Sequence, residues 1–232
     1  MTAARTVTWA TDELDGVIWD WNGTLLDDLD HCVAVVDAML HRRGWGTMDR
    51  ARYQELFGFP VRDYYVAAGF RFEEESFEDL SEEFIARYQA GASGLRLHGA
   101  AQAVLRRLAQ LALPQAVLSA TREDMLLSAL AHHEIGDRFA AVAGTGDIYA
   151  HGKLGRGQAL LRETGWTPSR VVLIGDTLHD AEVAAELGCR CLLVAAGHQK
   201  RARLEAAGVP VVADLQAMMV HGPARQTPHE AV

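Results

Sequence analysis

Short apolar runs alternate with amphipathic stretches along the second half of the chain. The amphipathic stretches have helical spacing, and each is followed by an apolar run short enough to be a buried strand. The predicted helices are 100–111, 122–132, 154–164 and 178–187, and the predicted strands are 115–118, 140–143, 170–174, 190–194 and 209–212. Such alternation indicates βαβ units with right-handed crossovers. We therefore predict an α/β fold with a doubly wound parallel sheet, whose first strand is the apolar run at 17–19.

A block without strand patterns interrupts this alternation between residues 28 and 93. Apolar residues recur at helical spacing from Leu29 to Leu40, and Gly44 has the position of a C-cap. Further helical patterns cover 50–57, 62–68 and 77–89. We predict that residues 28–93 form an inserted all-helical domain, that 1–27 and 94–220 form the α/β core, and that 221–232 form a flexible tail.

The composition narrows the class of protein. Of the 232 residues 49% are hydrophobic and 23% are charged, which is typical of a soluble globular protein. No apolar run approaches the roughly 20 residues of a membrane span, and the N-terminus lacks a signal-peptide pattern. A net charge of −9 argues against nucleic-acid binding. We therefore expect a cytoplasmic protein, a monomer or a homodimer, without nucleic-acid or membrane partners.

Two acidic segments follow predicted strands. Asp20 comes directly after the first apolar run, and Asp176 and Asp180 come after the run that ends at residue 174. Ligands of open parallel sheets bind at the carboxyl ends of strands. Asn22-Gly23 predicts a tight turn, whose N–H groups can converge on an anion beside Asp20. The two segments together predict an oxygen-rich site at one edge of the sheet.

The order of these residues resembles the haloacid dehalogenase-like hydrolase superfamily. Its pattern is an Asp-x-Asp-x-Thr motif, a Ser or Thr after a second strand, a Lys, and a Gly-Asp-x-x-x-Asp motif. The chain supplies these in order as Asp20, Thr24, Ser119, Lys153, Asp176 and Asp180. One position departs from the pattern, because Asn22 stands where phosphatases of the family carry a second Asp. The resemblance implies a Rossmann-like core, with the helical insertion as a cap over the site.

The resemblance implies a Mg²⁺-dependent phosphatase similar to phosphoglycolate phosphatases, acting on a small phosphorylated metabolite. Asp20 would be the nucleophile that forms an aspartyl-phosphate, and Thr24 would orient its loop. Asp20, Asp176, Asp180 and the main-chain carbonyl of Asn22 would hold the Mg²⁺ ion. This implies a catalytic set of Asp20, Asn22 and Thr24.

A second set of residues is expected to bind the substrate. The Ser119 hydroxyl, the Ala120 N–H and the Lys153 ammonium group would contact phosphate oxygens. Trp21 and Asn22 belong to the same phosphate-binding turn. Arg62 would hold an anionic group of the substrate, or it would lie on a helix surface.

Asn22 leaves the mechanism open. An amide can neither protonate a leaving group nor activate water, and such help is typically worth about 10²–10⁴-fold. The consequences left open are a preference for good leaving groups, a longer-lived aspartyl-phosphate, or rescue by His31 or His179. From a different class, the chain would be a catalytically impaired phosphate-binding or regulatory homologue.

Three related activities fit the sequence less well. A phosphonate-cleaving enzyme needs a cap lysine for an imine, and residues 28–93 contain no lysine. A dehalogenase works without metal and has no need of Asp176 and Asp180. A phosphomutase needs acid–base chemistry at the position that Asn22 occupies. A phosphatase is the enzyme class that remains.

Overall fold

The computed structural model describes residues 13–146 and 152–218. The predicted tail at 221–232 and residues 1–12 of the predicted core lie outside the described residues. The strands are β1 (Gly16–Trp19), β2 (Leu26–Asp27), β3 (Arg96–Leu97), β4 (Gln115–Arg122), β5 (Ala141–Thr145), β6 (Val171–Gly175), β7 (Arg190–Val194) and β8 (Val211–Val212). The helices are α1 (Leu29–Arg43), α2 (Arg50–Leu56), α3 (Val61–Ala68), α4 (Phe77–Ala92), α5 (Ala101–Gln110), α6 (Glu123–His132), α7 (Lys153–Thr164), α8 (Leu178–Leu187) and α9 (Arg201–Leu204).

A six-stranded parallel sheet forms the centre of the molecule. Its strand order is β5-β4-β1-β6-β7-β8, so the strand order reverses beside β1. Alternate residues of β1 belong to different apolar clusters. Trp19 packs with Leu105 of α5 and Leu126 of α6, whereas Ile18 packs with helices α7 and α8 on the other face. The predicted doubly wound sheet, with helices on both faces, is confirmed.

Helices α1 to α4, here called the helical segment, have an apolar cluster of their own. Its members include Leu29, Val36, Met39, Leu40, Tyr53 and Leu80, all buried. Helix α1 ends at Gly44, whose φ of 68° is the left-handed value that favours glycine at a C-cap. Helix α4 continues to Ala92, beyond the predicted end at residue 89. All four predicted helices of this block are therefore present.

A short antiparallel ribbon joins the helical segment to the sheet. Strands β2 and β3 pair through Leu26 with Leu97 and through Asp27 with Arg96. The chain therefore leaves for the helical segment and returns from it at neighbouring positions. None of the helices in the two described stretches has the length and apolar character that a membrane crossing requires.

Candidate active site

Three carboxyl groups meet at the carboxyl edge of the sheet. Asp20 follows β1, and its backbone N–H donates to the carbonyl of Ile174 in the adjacent strand β6. Asp176 follows β6 directly, and Asp180 lies in the first turn of α8. One carboxylate oxygen from each of the three aspartates lies within 4.8 Å of the others. The turns after two neighbouring strands therefore deliver the acidic cluster that their sequence positions predicted.

Lys153 and Thr24 connect these carboxyl groups. Lys153 Nζ donates to Asp20 Oδ1 and to Asp180 Oδ1, both at 2.6 Å. Thr24 Oγ1 lies 3.1 Å from Asp176 Oδ1 and 3.3 Å from Asp20 Oδ2, and its single proton serves one oxygen at a time. All five side chains are buried, so their relative positions are set by contacts with each other rather than with solvent.

The cluster carries more negative than positive charge, since three carboxyl groups face one ammonium group. Burial raises the pKa of Asp20 to about 6 despite the attraction of Lys153. Burial raises the pKa of Asp176 to about 8, with the Asp20 charge adding to the effect. A divalent cation would offset this excess charge. The donors are all oxygen atoms, the kind of ligand that Mg²⁺ prefers, so the residues present fit such an ion.

Asp180 has two structural roles at once. Its Oδ2 accepts hydrogen bonds from the backbone N–H of Thr177 and of Asp176 and from the Thr177 hydroxyl. The Thr177 N–H bond and the bond from the Asp180 N–H to Thr177 Oγ1 form the capping box of α8. Its Oδ1 is the Lys153 partner. Burial opposes ionisation, but the Lys153 charge and these hydrogen bonds outweigh it and lower the pKa of Asp180. Helix capping and membership of the acidic cluster therefore coexist in this residue.

The loop after β7 completes the site, and sequence reasoning missed it. The His198 backbone N–H donates to Asp176 Oδ2 at 2.6 Å. A Cβ on Gly197 would overlap Asp176 Oδ2 and approach the Gly23 carbonyl, so only glycine fits this close backbone approach. The position of this loop in the sequence could have predicted its role, because it follows a parallel strand and therefore lies at the same sheet edge as the acids.

Asn22 is held by a network centred on Asp28. The Asn22 Nδ2 group donates to Asp28 Oδ2 at 2.6 Å and to the Tyr88 hydroxyl at 2.9 Å. The Tyr88 hydroxyl donates to Asp28 Oδ2, and the Gly23 N–H donates to Asp28 Oδ1. The Asn22 carbonyl oxygen accepts from the Thr121 hydroxyl at 2.6 Å. An aspartate at position 22 would place a second carboxylate against Asp28, which gives a physical reason for the amide.

Asp28 also forms a buried ion pair with His198. His198 Nε2 lies 3.2 Å from Asp28 Oδ1. Burial alone would raise the pKa of Asp28, but the His198 charge and the surrounding hydrogen bonds lower it to about 2. Burial alone would lower the pKa of His198, but Asp28 raises it to about 9. Both groups are therefore charged at neutral pH.

A cavity of about 170 Å³ lies between the acidic cluster and the helical segment. We call its polar side the floor, formed by Asp20, Ser119, Lys153, Asp176 and Asp180. We call the opposite side the roof, formed by Tyr53, Phe57, Phe59, Tyr64, Ser81, Phe84, Ile85 and Tyr88 of the helical segment and its loops. The floor suits a charged group, whereas the roof suits an apolar one.

The family model of the haloacid dehalogenase-like hydrolases matches residues 17–194. The chain belongs to this family. A phosphoglycolate phosphatase of Synechococcus elongatus is 25% identical to it, over 84% of this chain and 90% of that protein. A phosphoglycolate phosphatase of Rhodobacter capsulatus is 26% identical, over 79% and 85%. An N-acetylmuramic acid 6-phosphate phosphatase of Pseudomonas aeruginosa is 27% identical, over 80% and 83%.

Solved structures agree with the family assignment. A haloacid dehalogenase-like hydrolase from Streptococcus pneumoniae superposes with a TM-score of 0.75 at 18% identity, covering 91% of this chain and 96% of that one. At this identity the likeness shows the fold, which is the predicted Rossmann-like one. The predictions of a haloacid dehalogenase-like hydrolase and of the phosphatase class of enzyme are confirmed.

The remaining residues of the family pattern lie on the floor side of the cavity. Ser119 is buried and its hydroxyl accepts from the Thr121 N–H at 3.1 Å, and both Ser119 and Ala120 line the cavity with Lys153. The Trp21 indole is buried in the apolar core of the sheet, 5.9 Å from the His133 ring. Trp21 therefore does not line the cavity.

Five predicted residues do not line the cavity, namely Trp21, Thr24, His31, Arg62 and His179. Of the two roles expected for Arg62, the geometry favours the helix surface, because its guanidinium lies over the rings of Phe72 and Phe77, at 4.5 and 5.6 Å from their centroids. His31 Nε2 lies 2.9 Å from the Tyr88 carbonyl oxygen, and His179 stacks on Phe59 at 4.5 Å. Neither histidine lines the cavity, whereas His198, which was not predicted, does.

Proposed function

We propose that the protein is a Mg²⁺-dependent phosphatase that hydrolyses a small phosphorylated metabolite through an aspartyl-phosphate on Asp20. The observation that carries the proposal is the buried cluster of Asp20, Lys153, Asp176 and Asp180 on the floor of a substrate-sized cavity. The 25–26% identity to two phosphoglycolate phosphatases supports the same class of reaction.

In the first step, a carboxylate oxygen of Asp20 forms a bond to phosphorus, the ester P–O bond breaks, and the departing oxygen takes its proton from solvent. Lys153 offsets the charge of Asp20, while Ser119 Oγ and the Ala120 N–H hold phosphate oxygens. Asp20, Asp176, Asp180 and the main-chain carbonyl of Asn22 would hold Mg²⁺. When bound, this ion supplies charge neutralisation between the carboxylates and the phosphate. In the second step, water attacks the aspartyl-phosphate, which releases inorganic phosphate and regenerates Asp20.

The Asn22 amide orients the turn but supplies no proton to the leaving group. Thr24 keeps Asp20 and Asp176 in register through its hydroxyl. We propose that residues 28–93 act as a cap domain, because their aromatic side chains form the roof over the floor. A cytoplasmic location and a monomer or homodimer remain predictions, and the net charge of −9 supports a metabolite rather than nucleic acid as partner.

Hydrolysis of phenyl phosphate with and without Mg²⁺ tests the proposal. We expect turnover that chelation abolishes and added Mg²⁺ restores. Acid quenching during turnover, followed by mass spectrometry, should find a phosphoryl group on the peptide that contains Asp20. Mg²⁺-independent turnover, or a phosphoryl group on another residue, would contradict it.

The second candidate function is a phosphate-binding or regulatory homologue with little turnover. The observation that favours it is that residue 22 is an amide, with no titratable group at the position of the family's second Asp, and that its Nδ2 group is committed to Asp28 and Tyr88. The same quench experiment separates the two functions. A single stoichiometric burst of product without later turnover indicates the regulatory homologue, whereas repeated turnover indicates the phosphatase.

A further inference from the structure

The roof of the cavity is apolar and mostly aromatic. Aromatic or aliphatic side chains from α2, α4 and the loop before α3 face the floor across it. No arginine or lysine of the described helical segment lines the cavity. The buried polar atoms of the roof that lack a hydrogen-bond partner are the neutral hydroxyls of Tyr64 and Ser81. The part of a substrate that lies beyond its phosphate therefore meets an apolar, uncharged wall.

The described cations beside the cavity already have anionic partners. Lys153 is shared by Asp20 and Asp180, and His198 is paired with Asp28. The other His198 ring nitrogen, Nδ1, is buried and has no hydrogen-bond partner among the described residues. Arg122 makes two hydrogen bonds to Asp124, at 2.6 and 2.9 Å, and is half exposed to solvent. A second carboxylate on the substrate would thus be buried without a dedicated cation, which is unfavourable.

The size of the cavity and the chemistry of Asn22 point to the same kind of leaving group. The cavity of about 170 Å³ spans both floor and roof, so it must hold the phosphate group together with the leaving group, and this limits the leaving group to about a single ring. An arene alcohol such as a phenol, with a pKa of about 10, departs as its anion far more readily than an aliphatic alcohol. The proton that Asn22 cannot supply is therefore needed least when the leaving group is a phenolate.

We infer that the preferred substrate is a phosphate ester of a single-ring aromatic alcohol, rather than a carboxylated ester such as phosphoglycolate. The inference rests on the proposed phosphatase function. The Asp20 carboxylate forms a bond to phosphorus, the bond from phosphorus to the aryl oxygen breaks, and the phenolate takes its proton from solvent. The roof holds the ring, and water then releases phosphate from Asp20.

The first test measures binding without turnover. Benzylphosphonate and phosphonoacetate share a phosphonate and a methylene group, and they differ in a phenyl ring against a carboxylate. Isothermal titration into the full-length protein with Mg²⁺ should show benzylphosphonate binding ~10-fold or more tightly, since one apolar pocket contact is worth about that factor. Equal or tighter binding of phosphonoacetate would overturn the inference.

The second test places a cation in the roof. Ile85→Arg should shift the ratio of the two affinities toward phosphonoacetate by ~10-fold, because the new guanidinium can pair with the carboxylate. The matched control is Val66→Arg, the same kind of change at a site of the helical segment that is 58% exposed and outside the cavity. The control should leave the wild-type ratio unchanged. An equal shift in both variants would show that the roof does not select the ligand.

Rates of hydrolysis test the substrate preference separately from the phosphatase activity itself. We expect kcat/KM to fall in the order phenyl phosphate, benzyl phosphate, phosphoglycolate, where the last two have aliphatic leaving oxygens and differ in the ring. Mg²⁺-dependent hydrolysis with phosphoglycolate preferred to benzyl phosphate would overturn the inference and leave the phosphatase standing. Preferred binding of benzylphosphonate without hydrolysis of any ester would retain the pocket and overturn the phosphatase.

Discussion

The floor and the roof of the cavity are built by different means. Each polar group on the floor is fixed by specific hydrogen bonds, such as those from Lys153 to Asp20 and Asp180. Among the floor groups, Asp20 and Asp176 directly follow neighbouring strands of one parallel sheet, and Ser119 lies within the adjacent strand β4. The roof is a layer of side chains such as Phe57, Phe59 and Phe84, held by ring packing. The floor therefore recognises particular atoms of a ligand through hydrogen bonds and charge, whereas the roof selects a ligand by its shape and its apolar surface.

This contrast indicates which changes each side tolerates. A hydrogen-bonded charge cannot be displaced without leaving a partner buried and unpaired. Apolar side chains of similar volume substitute for one another with smaller losses. We expect substitutions on the floor to abolish activity and substitutions on the roof to redirect it.

The largest effect is expected on the floor at Asp20. Asp20→Asn removes the proposed nucleophile and one metal ligand, so kcat should fall by on the order of 10³-fold or more. The melting temperature should stay close to that of the wild type, because burial already disfavours the Asp20 charge. The control is Asp27→Asn, the same change at an exposed residue seven positions later in the chain, and it should keep the wild-type kcat. Near-normal turnover of Asp20→Asn with saturating Mg²⁺ would rule out covalent catalysis by this residue.

The backbone of the loop after β7 should be nearly as sensitive as the acids. The Cβ added by Gly197→Ala would overlap Asp176 Oδ2, so the carboxylate must move. A displacement of about 1 Å in an active site can lower the rate ~10²-fold, and the concentration of Mg²⁺ needed for half-maximal rate should rise. Gly99→Ala, whose Cβ would meet open space, is the control and should change neither quantity. An unchanged Mg²⁺ dependence in Gly197→Ala would argue against Asp176 as a metal ligand.

The network between floor and roof predicts a pH-dependent loss of stability in Asn22→Asp. The new carboxyl group would lie at the position of an amide that is 2.6 Å from Asp28, so its folded-state pKa should be raised above its unfolded value. Folded protein then binds more protons than unfolded protein, so stability falls as pH rises above the unfolded value of about 4. Melting curves should show that the melting temperature of Asn22→Asp falls further below that of the wild type at pH 8 than at pH 5.

The double variant Asn22→Asp/Asp28→Asn restores the number of charges and is the control for this prediction. Since it removes the Asp28 partner of His198, it should lose stability at both pH values, but this loss should not grow from pH 5 to pH 8 as it does in Asn22→Asp alone. Because it also returns a titratable acid to position 22, its rates should depend less steeply on the leaving group than those of the wild type. If the melting temperature of Asn22→Asp lies equally far below that of the wild type at both pH values, residue 22 and Asp28 do not interact.

The smallest of these effects concerns a hydroxyl group that joins the roof to Asp28. Tyr88→Phe removes a donor to a buried carboxylate and should lower the free energy of unfolding by about 1.5–3 kcal/mol. Tyr64→Phe is the same change at a buried hydroxyl without a partner among the described residues, and it should be neutral or stabilising. Equal effects of the two substitutions, measured by denaturant unfolding, would show that the bond to Asp28 contributes nothing.

The sheet and the acidic cluster were predictable because local patterns determine them. The run of apolar residues in β7 gave both bounds of that strand correctly, and the site acids lie directly after such runs. The ribbon of β2 and β3 was not predicted, since two-residue strands are too short to show alternation. Helix α4 runs through Gly91 to Ala92, beyond the predicted end at residue 89, and the His31 ring packs where a Cβ on Gly91 would lie.

The contacts that were missed join residues far apart in the chain. Asp28 and His198 are separated by 170 positions, and no spacing rule relates them. Arg62 had two expected roles, which were to hold an anionic group of the substrate or to lie on a helix surface. The rings of Phe72 and Phe77 provide it with a cation–π contact, and a one-dimensional pattern cannot reveal that choice.

The ribbon of β2 and β3 has a consequence for how such enzymes diversify. Because Leu26 and Leu97 are paired neighbours, the helical segment begins and ends at a single place on the sheet. A segment with adjacent ends can be lengthened, shortened or exchanged for that of a relative by recombination at two nearby junctions, without rerouting the strands. New substrate preferences can then arise by replacement of one contiguous stretch of gene, while the residues of the reaction centre are inherited intact.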